Sequence, residues 1–169
     1  AMLRAMVENE QDVTKVVTTK VTDMSELLLI NYNTSSPFNQ PIGSWDVSNV
    51  TNMRLMFYEA RDFNQEIVNW DVSNVTDMAE MFHHTESFNQ VIGNWDVSNV
   101  TRMEFMFYRT YSFNRPIGNW DVSSVISMEE MFSSATSFNK DLSSWSVDNV
   151  TVCDGFSYDT PSWTRPKPN

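Results

Sequence analysis

Tryptophan returns in this chain at a fixed step: Trp45, Trp70, Trp95, Trp120 and Trp145 lie twenty-five residues apart, and Phe38, Phe63, Phe88, Phe113 and Phe138 keep the same step. A constant period of this length marks a repeat array. A unit so short cannot bury an apolar face by itself and must do so against its neighbours, so the chain is expected to stack coil on coil around a shared interior.

Within a unit two patterns follow one another. Val50, Met53, Met56, Phe57 and Ala60 stand at intervals of three, three, one and three, and the set returns as Val75, Met78, Met81, Phe82 and as Val100, Met103, Met106, Phe107. That spacing lies on one face of a short helix. Thr51, Thr76, Thr101 and Thr151 precede it where an N-cap belongs, and Thr101 with Glu104 has the form of a capping box, while Ile126 breaks the column. Ahead of each helix, Trp45 and Val47 alternate with Ser44, Asp46 and Ser48, the period of a half-buried strand. The predicted class is therefore α/β, each coil a short parallel strand followed by a short helix. Strands stack at about 4.8 Å and helices at roughly 8–10 Å, so the stack should curve with its strands on the concave side. Gly43, Gly93 and Gly118 give way to Val68 and Ser143 in the same column, so no positive φ is required there.

The ends depart from the pattern. Aligned on Val21 to Met24, residues 13–28 make a degenerate first coil in which Val13 falls on Ile42, Val16 on Trp45, Leu27 on Met56 and Leu28 on Phe57. The loop INYNTSSPF then carries four extra residues, the one insertion in the array. Upstream, Met2, Leu3, Met6 and Val7 stripe a short amphipathic helix suited to cap the open end. In the last coil Ser146 replaces the aspartate and Cys153 and Phe156 replace methionines, and Gly155 would interrupt its helix. The domain plan is thus an N-terminal helical cap over 1–12, a repeat solenoid over 13–157 and a C-terminal tail over 158–169. About six coils begin near 13, 38, 63, 88, 113 and 138, and the tail is expected to be extended with Trp163 folded back over the end.

Charge and motif content narrow the function. A formal charge of −11 argues against nucleic acid, whose binding rests on clustered Lys and Arg. The chain has no run of eighteen apolar residues, so no membrane insertion is expected in this segment, and neither a signal peptide nor an anchor is visible. Its one cysteine, Cys153, can form no internal disulfide. Neither G-x-S-x-G, H-E-x-x-H nor a phosphate-binding glycine loop occurs, so the chain reads as no enzyme and calls for no cofactor.

The unit WDVSNVT-x-M-x-x-MF followed by FNQ-x-IG-x-W resembles the bacterial surface protein repeat of about twenty-five residues, a lipoprotein repeat of the DUF285 type related to the leucine-rich repeats of BspA-like proteins. The resemblance spans roughly Val13 to Phe156. It implies a right-handed leucine-rich-repeat-like solenoid, a bacterial cell-surface or extracellular location, and a role in adhesion or protein binding. It brings no catalytic residues. The function expected is a non-catalytic binding or adhesion module, monomeric, presenting its repeat surface to a protein or glycan; a spacer without a ligand, or a calcium- or ice-binding array, is the alternative.

Binding residues are sought where the skeleton repeats and the side chain does not. Leu55, Glu80, Phe105 and Glu130 form one such column, and Tyr58, His83, Tyr108 and Ser133 another. Exposed aromatics there would be anchors for a partner unless neighbouring coils cover them. Asp46, Asp71, Asp96 and Asp121 form a carboxylate row that could attract a cation or accept amides of the following turn. The asparagine columns, Asn39 to Asn139 and Asn49 to Asn149, belong to coil corners, and their amides are expected to bond backbone groups and one another. No zinc site is assigned, since His83 and His84 are adjacent and only Glu86 lies near.

Overall fold

The computed structural model describes residues 2–29 and 38–168; the insertion read in the loop after Leu29 lies outside the described residues. Among those described, one α-helix is present, α1, Met2–Glu8, and no strand longer than an isolated bridge. The α/β expectation is therefore overturned. Coils do stack on coils, but neither the helix nor the strand forms within them, and the curvature argued from unequal strand and helix spacings loses its basis.

The physical reason lies in where the amides go. From Met53 to Ala60 the N–H groups alternate between the next coil and turns of their own, apart from that of Arg54, which donates to Asn52 Oδ1 at 3.0 Å. Met53, Leu55, Phe57 and Glu59 donate to the carbonyls of Asp77, Ala79, Met81 and His83 in the next coil, at 2.8–3.0 Å. Met56, Tyr58 and Ala60 instead close three-residue turns onto Met53, Leu55 and Phe57. Every amide of the segment is paired without a helix, and the inward set of Met53, Met56, Phe57 and Ala60 is the one that a helix would also have produced. The turns require left-handed residues: Leu55 and Glu59 have φ of 59° and 56°, and the same two places recur as Glu80 and His84, Phe105 and Arg109, and Glu130 and Ser134. A non-glycine residue held there costs about 1–2 kcal/mol. The inter-coil bonds and the core offset this strain. Gly155 takes the left-handed place of its column at φ 64°, so it continues the motif and interrupts nothing.

Single parallel bridges run Asp23, Asn52, Asp77, Arg102, Ser127 and Val152, one per coil, where helix N-termini were expected. Thr101 is no N-cap: its hydroxyl donates to the Thr76 carbonyl of the previous coil at 3.1 Å, and Glu104 pairs with Arg102. Trp45 and Val47 do point inward and Ser44 and Asp46 outward, but the stretch is a succession of turns, as with Trp70 N–H donating to Ile67 and Val75 to Val72.

Stacked aromatic rings fill the interior. Phe57, Phe82, Phe107 and Phe132 lie 5.2, 5.8 and 5.4 Å apart between successive ring centres, and Trp70 lies parallel to Trp95 at 6.4 Å. Offset stacks of this kind add about 0.5–1.5 kcal/mol per pair beyond the area they bury. Each buried indole also needs an acceptor, and finds one a coil back: Trp70, Trp95, Trp120 and Trp145 donate from Nε1 to the carbonyls of Ile42, Ile67, Ile92 and Ile117 at 3.0–3.3 Å. Asparagines make a second file. Asn39, Asn64, Asn89 and Asn114 accept at Oδ1 from the amides of Asn64, Asn89, Asn114 and Asn139, each at 3.0–3.1 Å. Gly43, Gly93 and Gly118 serve close approach: a Cβ on them would lie 2.5, 2.3 and 2.7 Å from a carbonyl oxygen of the next coil.

The two ends are finished differently. Residues 13–28 stack as a coil, with Met24, Glu26 and Leu28 donating to Asn52, Arg54 and Met56. Helix α1 lies over it, its Val7 in the core and Leu3 and Met6 packed alongside. At the far end the tail is not simply extended. Trp163 stands twenty-five residues after Phe138 and takes the place of the phenylalanine column, edge-on to Phe132 and Phe138, while Thr164 N–H donates to Asn139 Oδ1.

Candidate functional site

The turn-built segments line up coil after coil, so their outward side chains form continuous columns. Leu55, Glu80, Phe105 and Glu130 all occupy the first left-handed position, and Tyr58, His83 and Tyr108 stand three residues on. The fold brings these two columns together. Leu55, Tyr58, Glu80, His83, Phe105 and Tyr108 are each half-buried, so the neighbouring coils cover them in part. His83 sits between Tyr58 and Tyr108, 4.6 Å from each ring, and 6.2 Å from Phe105.

Charged groups surround this aromatic patch. Arg54 pairs with Glu80 at 2.7 Å, and the His83 ring nitrogen Nδ1 lies 3.7 Å from the other carboxylate oxygen, longer than a hydrogen bond. His83 first, then Arg54, holds the Glu80 carboxyl below its ordinary 4.5 against the opposing effect of burial. Arg102 joins Glu104 and reaches Asp77 at 3.3 Å. Arg109 lies over the Tyr108 ring at 5.2 Å and donates to His84 Nε2 at 3.0 Å. Because arginine can only donate, that bond leaves the His84 proton on Nδ1. Burial, followed by the charges of His83, Arg109 and Arg61, lowers the His84 pKa from 6.5 to about 4, so the ring is neutral at neutral pH.

Four buried side-chain polar atoms lack a hydrogen-bond partner among the described residues: Arg54 Nε, His83 Nδ1, His84 Nδ1 and Glu104 Oε2. All four belong to this one face. Arg54, His84, Arg102, Glu104 and Arg109 were not among the expected site residues; their signal was the same variation between repeats, in the places flanking the two columns.

The aspartate row is a separate feature. Asp46, Asp71 and Asp96 are exposed, and each accepts through one oxygen from the amide and hydroxyl of the serine two residues on, at 3.1 and 2.6 Å. Asp121, also exposed, accepts the Ser123 amide at 3.0 Å. The serine hydroxyls, then the serine amides, hold Asp46, Asp96 and Asp121 below the usual 3.8. Among the described residues no group of three or more His, Cys, Asp or Glu side chains is placed to hold a metal ion, and no helix is long and apolar enough to cross a membrane.

Turns, stacked rings and amide files that recur from coil to coil through the centre of the chain define it as a repeat protein. The family model described as "Mycoplasma protein of unknown function, DUF285" matches it twice, over residues 1–110 and 90–167. The chain belongs to that family. Neither a curated protein nor a solved structure matches it.

Proposed function

We propose that this chain is a non-catalytic binding module, displayed at a bacterial cell surface, that engages a protein partner through the face bearing Tyr58, His83, Phe105 and Tyr108. The observation that carries the reading is the concentration of orphaned polar atoms there. A buried polar atom without a partner costs about 1–3 kcal/mol, and four sit on one face beside half-buried rings. Aromatic anchors ringed by arginine and carboxylate are the composition of a protein interface core and its rim. The likeness of the repeat to those of BspA-like surface proteins supports adhesion as the setting, and a surface glycan stacking on the rings is the variant of the same idea.

The test is capture of surface proteins and a glycan array by the intact chain and by a Phe105→Ser, Tyr108→Ser variant. Retention by the first and loss by the second, with the melting transition kept, supports the reading. Equal attachment by both would leave a spacer without a ligand as the better account.

A further inference from the structure

Two contacts hold the Arg109 side chain on the aromatic face. Its guanidinium lies 5.2 Å from the centre of the Tyr108 ring, and its Nη1 donates to His84 Nε2 at 3.0 Å. The residue is exposed, and among the described residues no carboxylate pairs with it. An exposed cation over a ring is weakly held, so the bond to His84 decides where the guanidinium rests. The backbone does not depend on that bond. His84 N–H donates to the Tyr108 carbonyl at 2.8 Å and Arg109 N–H to that of Ser133 at 2.9 Å. The two side chains can therefore part while their coils stay stacked.

The bond admits one protonation state of the ring. Arginine donates and never accepts, so Nε2 must keep its lone pair and the ring proton sits on Nδ1, a buried atom with no acceptor. A second proton can go only to Nε2, the atom that Arg109 occupies. Uptake sets donor against donor and charge against like charge. The surroundings add to the repulsion: His83 lies 5.4 Å away on the same coil, and Arg61 of the preceding coil also opposes a charge on the ring. On the following coil the neutral Tyr108 ring lies parallel to it at 6.1 Å. The carboxylates of this face give the ring no bond: Glu80 pairs with Arg54, Glu86 with Arg61 at 3.5 Å, and Glu59 holds the same column one coil back. Burial first, then the charges of His83, Arg109 and Arg61, place the pKa of His84 at about 4. At pH 7 about one ring in a thousand is then charged, and at pH 4 about half are.

We propose that Arg109 is a latch on the aromatic face and His84 its catch: proton uptake by His84 releases the guanidinium and bares the Tyr108 ring to a partner in acid. The docked guanidinium and the second proton exclude one another, so each weakens the hold of the other, and removing Arg109 must strengthen proton binding by His84. The use of the bared ring for attachment rests on the function proposed above; the latch itself does not.

The test reads Tyr108 in the full chain by flavin-sensitised photo-CIDNP, which polarises only tyrosine rings that a dye can touch, with Tyr158, 72% exposed, as the internal reference. As the pH falls from 7 to 3.5, with near-ultraviolet circular dichroism confirming that the stack persists, the Tyr108 signal should rise toward that of Tyr158. Its midpoint should match that of the His84 ring resonance, near 4. Arg109→Ala should show the high Tyr108 signal already at pH 7 and move the His84 midpoint up toward 6.5, readings that do not require the fold to survive at pH 3.5. His84→Asn, whose amide oxygen can still accept from Arg109, should keep the signal low throughout. Because none of these readings uses a partner, failure to capture a surface protein would count against the attachment and leave the latch standing. A Tyr108 signal unchanged by Arg109→Ala, a His84 midpoint that does not rise in that variant, or a signal that climbs equally in His84→Asn would each overturn the proposal.

Discussion

At the scale of the residue, the left-handed positions decide most. Glu59 at φ 56° bears strain that asparagine tolerates better, since its short polar side chain can satisfy the local backbone. Glu59→Asn should therefore stabilise the chain by roughly 0.5–1 kcal/mol in chemical denaturation, without glycine's added freedom in the unfolded state. His84, in the same column at φ 58°, adds a dependence on pH. Its folded pKa of about 4 lies below the ordinary 6.5, so between these values the unfolded chain binds more protons than the folded one. Stability is then full above pH 6.5 and falls as the pH drops toward 4. Replacing His84 by asparagine, which suits the backbone and does not titrate, should flatten that slope in melts taken at pH 4.5, 5.5 and 7. Asp46, Asp96 and Asp121, held below 3.8, contribute in a lower window, where stability declines as the pH falls below the usual carboxylate value.

At the scale of the element, the repeating part is a corner or a file of bonds, with neither helix nor strand inside the coil. The asparagine file shows how much one link carries. Asn89→Ala removes the acceptor of the Asn114 amide and should lower stability by about 1–3 kcal/mol, read as a drop in the denaturation midpoint with its slope unchanged. The inward columns were legible in the sequence, because Trp, Phe and Met recur at one step and a stack has a single interior. So was the outward alternation of Ser44 and Asp46, and so was the bonding of the asparagine columns. The backbone was not. Met53, Met56, Phe57 and Ala60 share a side in a helix and equally in a run of turns, and no glycine at Leu55, Glu59 or Phe105 announces a left-handed residue. The candidate columns could be read from variation between repeats; the adjacency of Arg54 to Glu80 across coils could not, since it depends on how far one coil is set along the next.

At the scale of the whole molecule, one length governs everything: twenty-five residues advance the chain by one coil, as the bridges from Asp77 to Arg102 and from Arg102 to Ser127 record. Deleting residues 88–112 should leave a folded protein with one coil fewer, its denaturant slope smaller by roughly one sixth in proportion to the surface lost. Deleting residues 88–111 would throw Trp120 and Phe113 out of file and should abolish the cooperative transition. The forward ladder bonds also lie along the direction in which neighbouring coils are stacked, so tension applied between the two ends would load them lengthwise and release the array by successive peeling. A force-extension trace should then show a saw-tooth whose teeth are spaced by about 85 Å of contour, the reach of one twenty-five-residue turn pulled straight. A chain built this way would yield under load in small, recoverable increments and act as a shock absorber between whatever its two ends are fastened to.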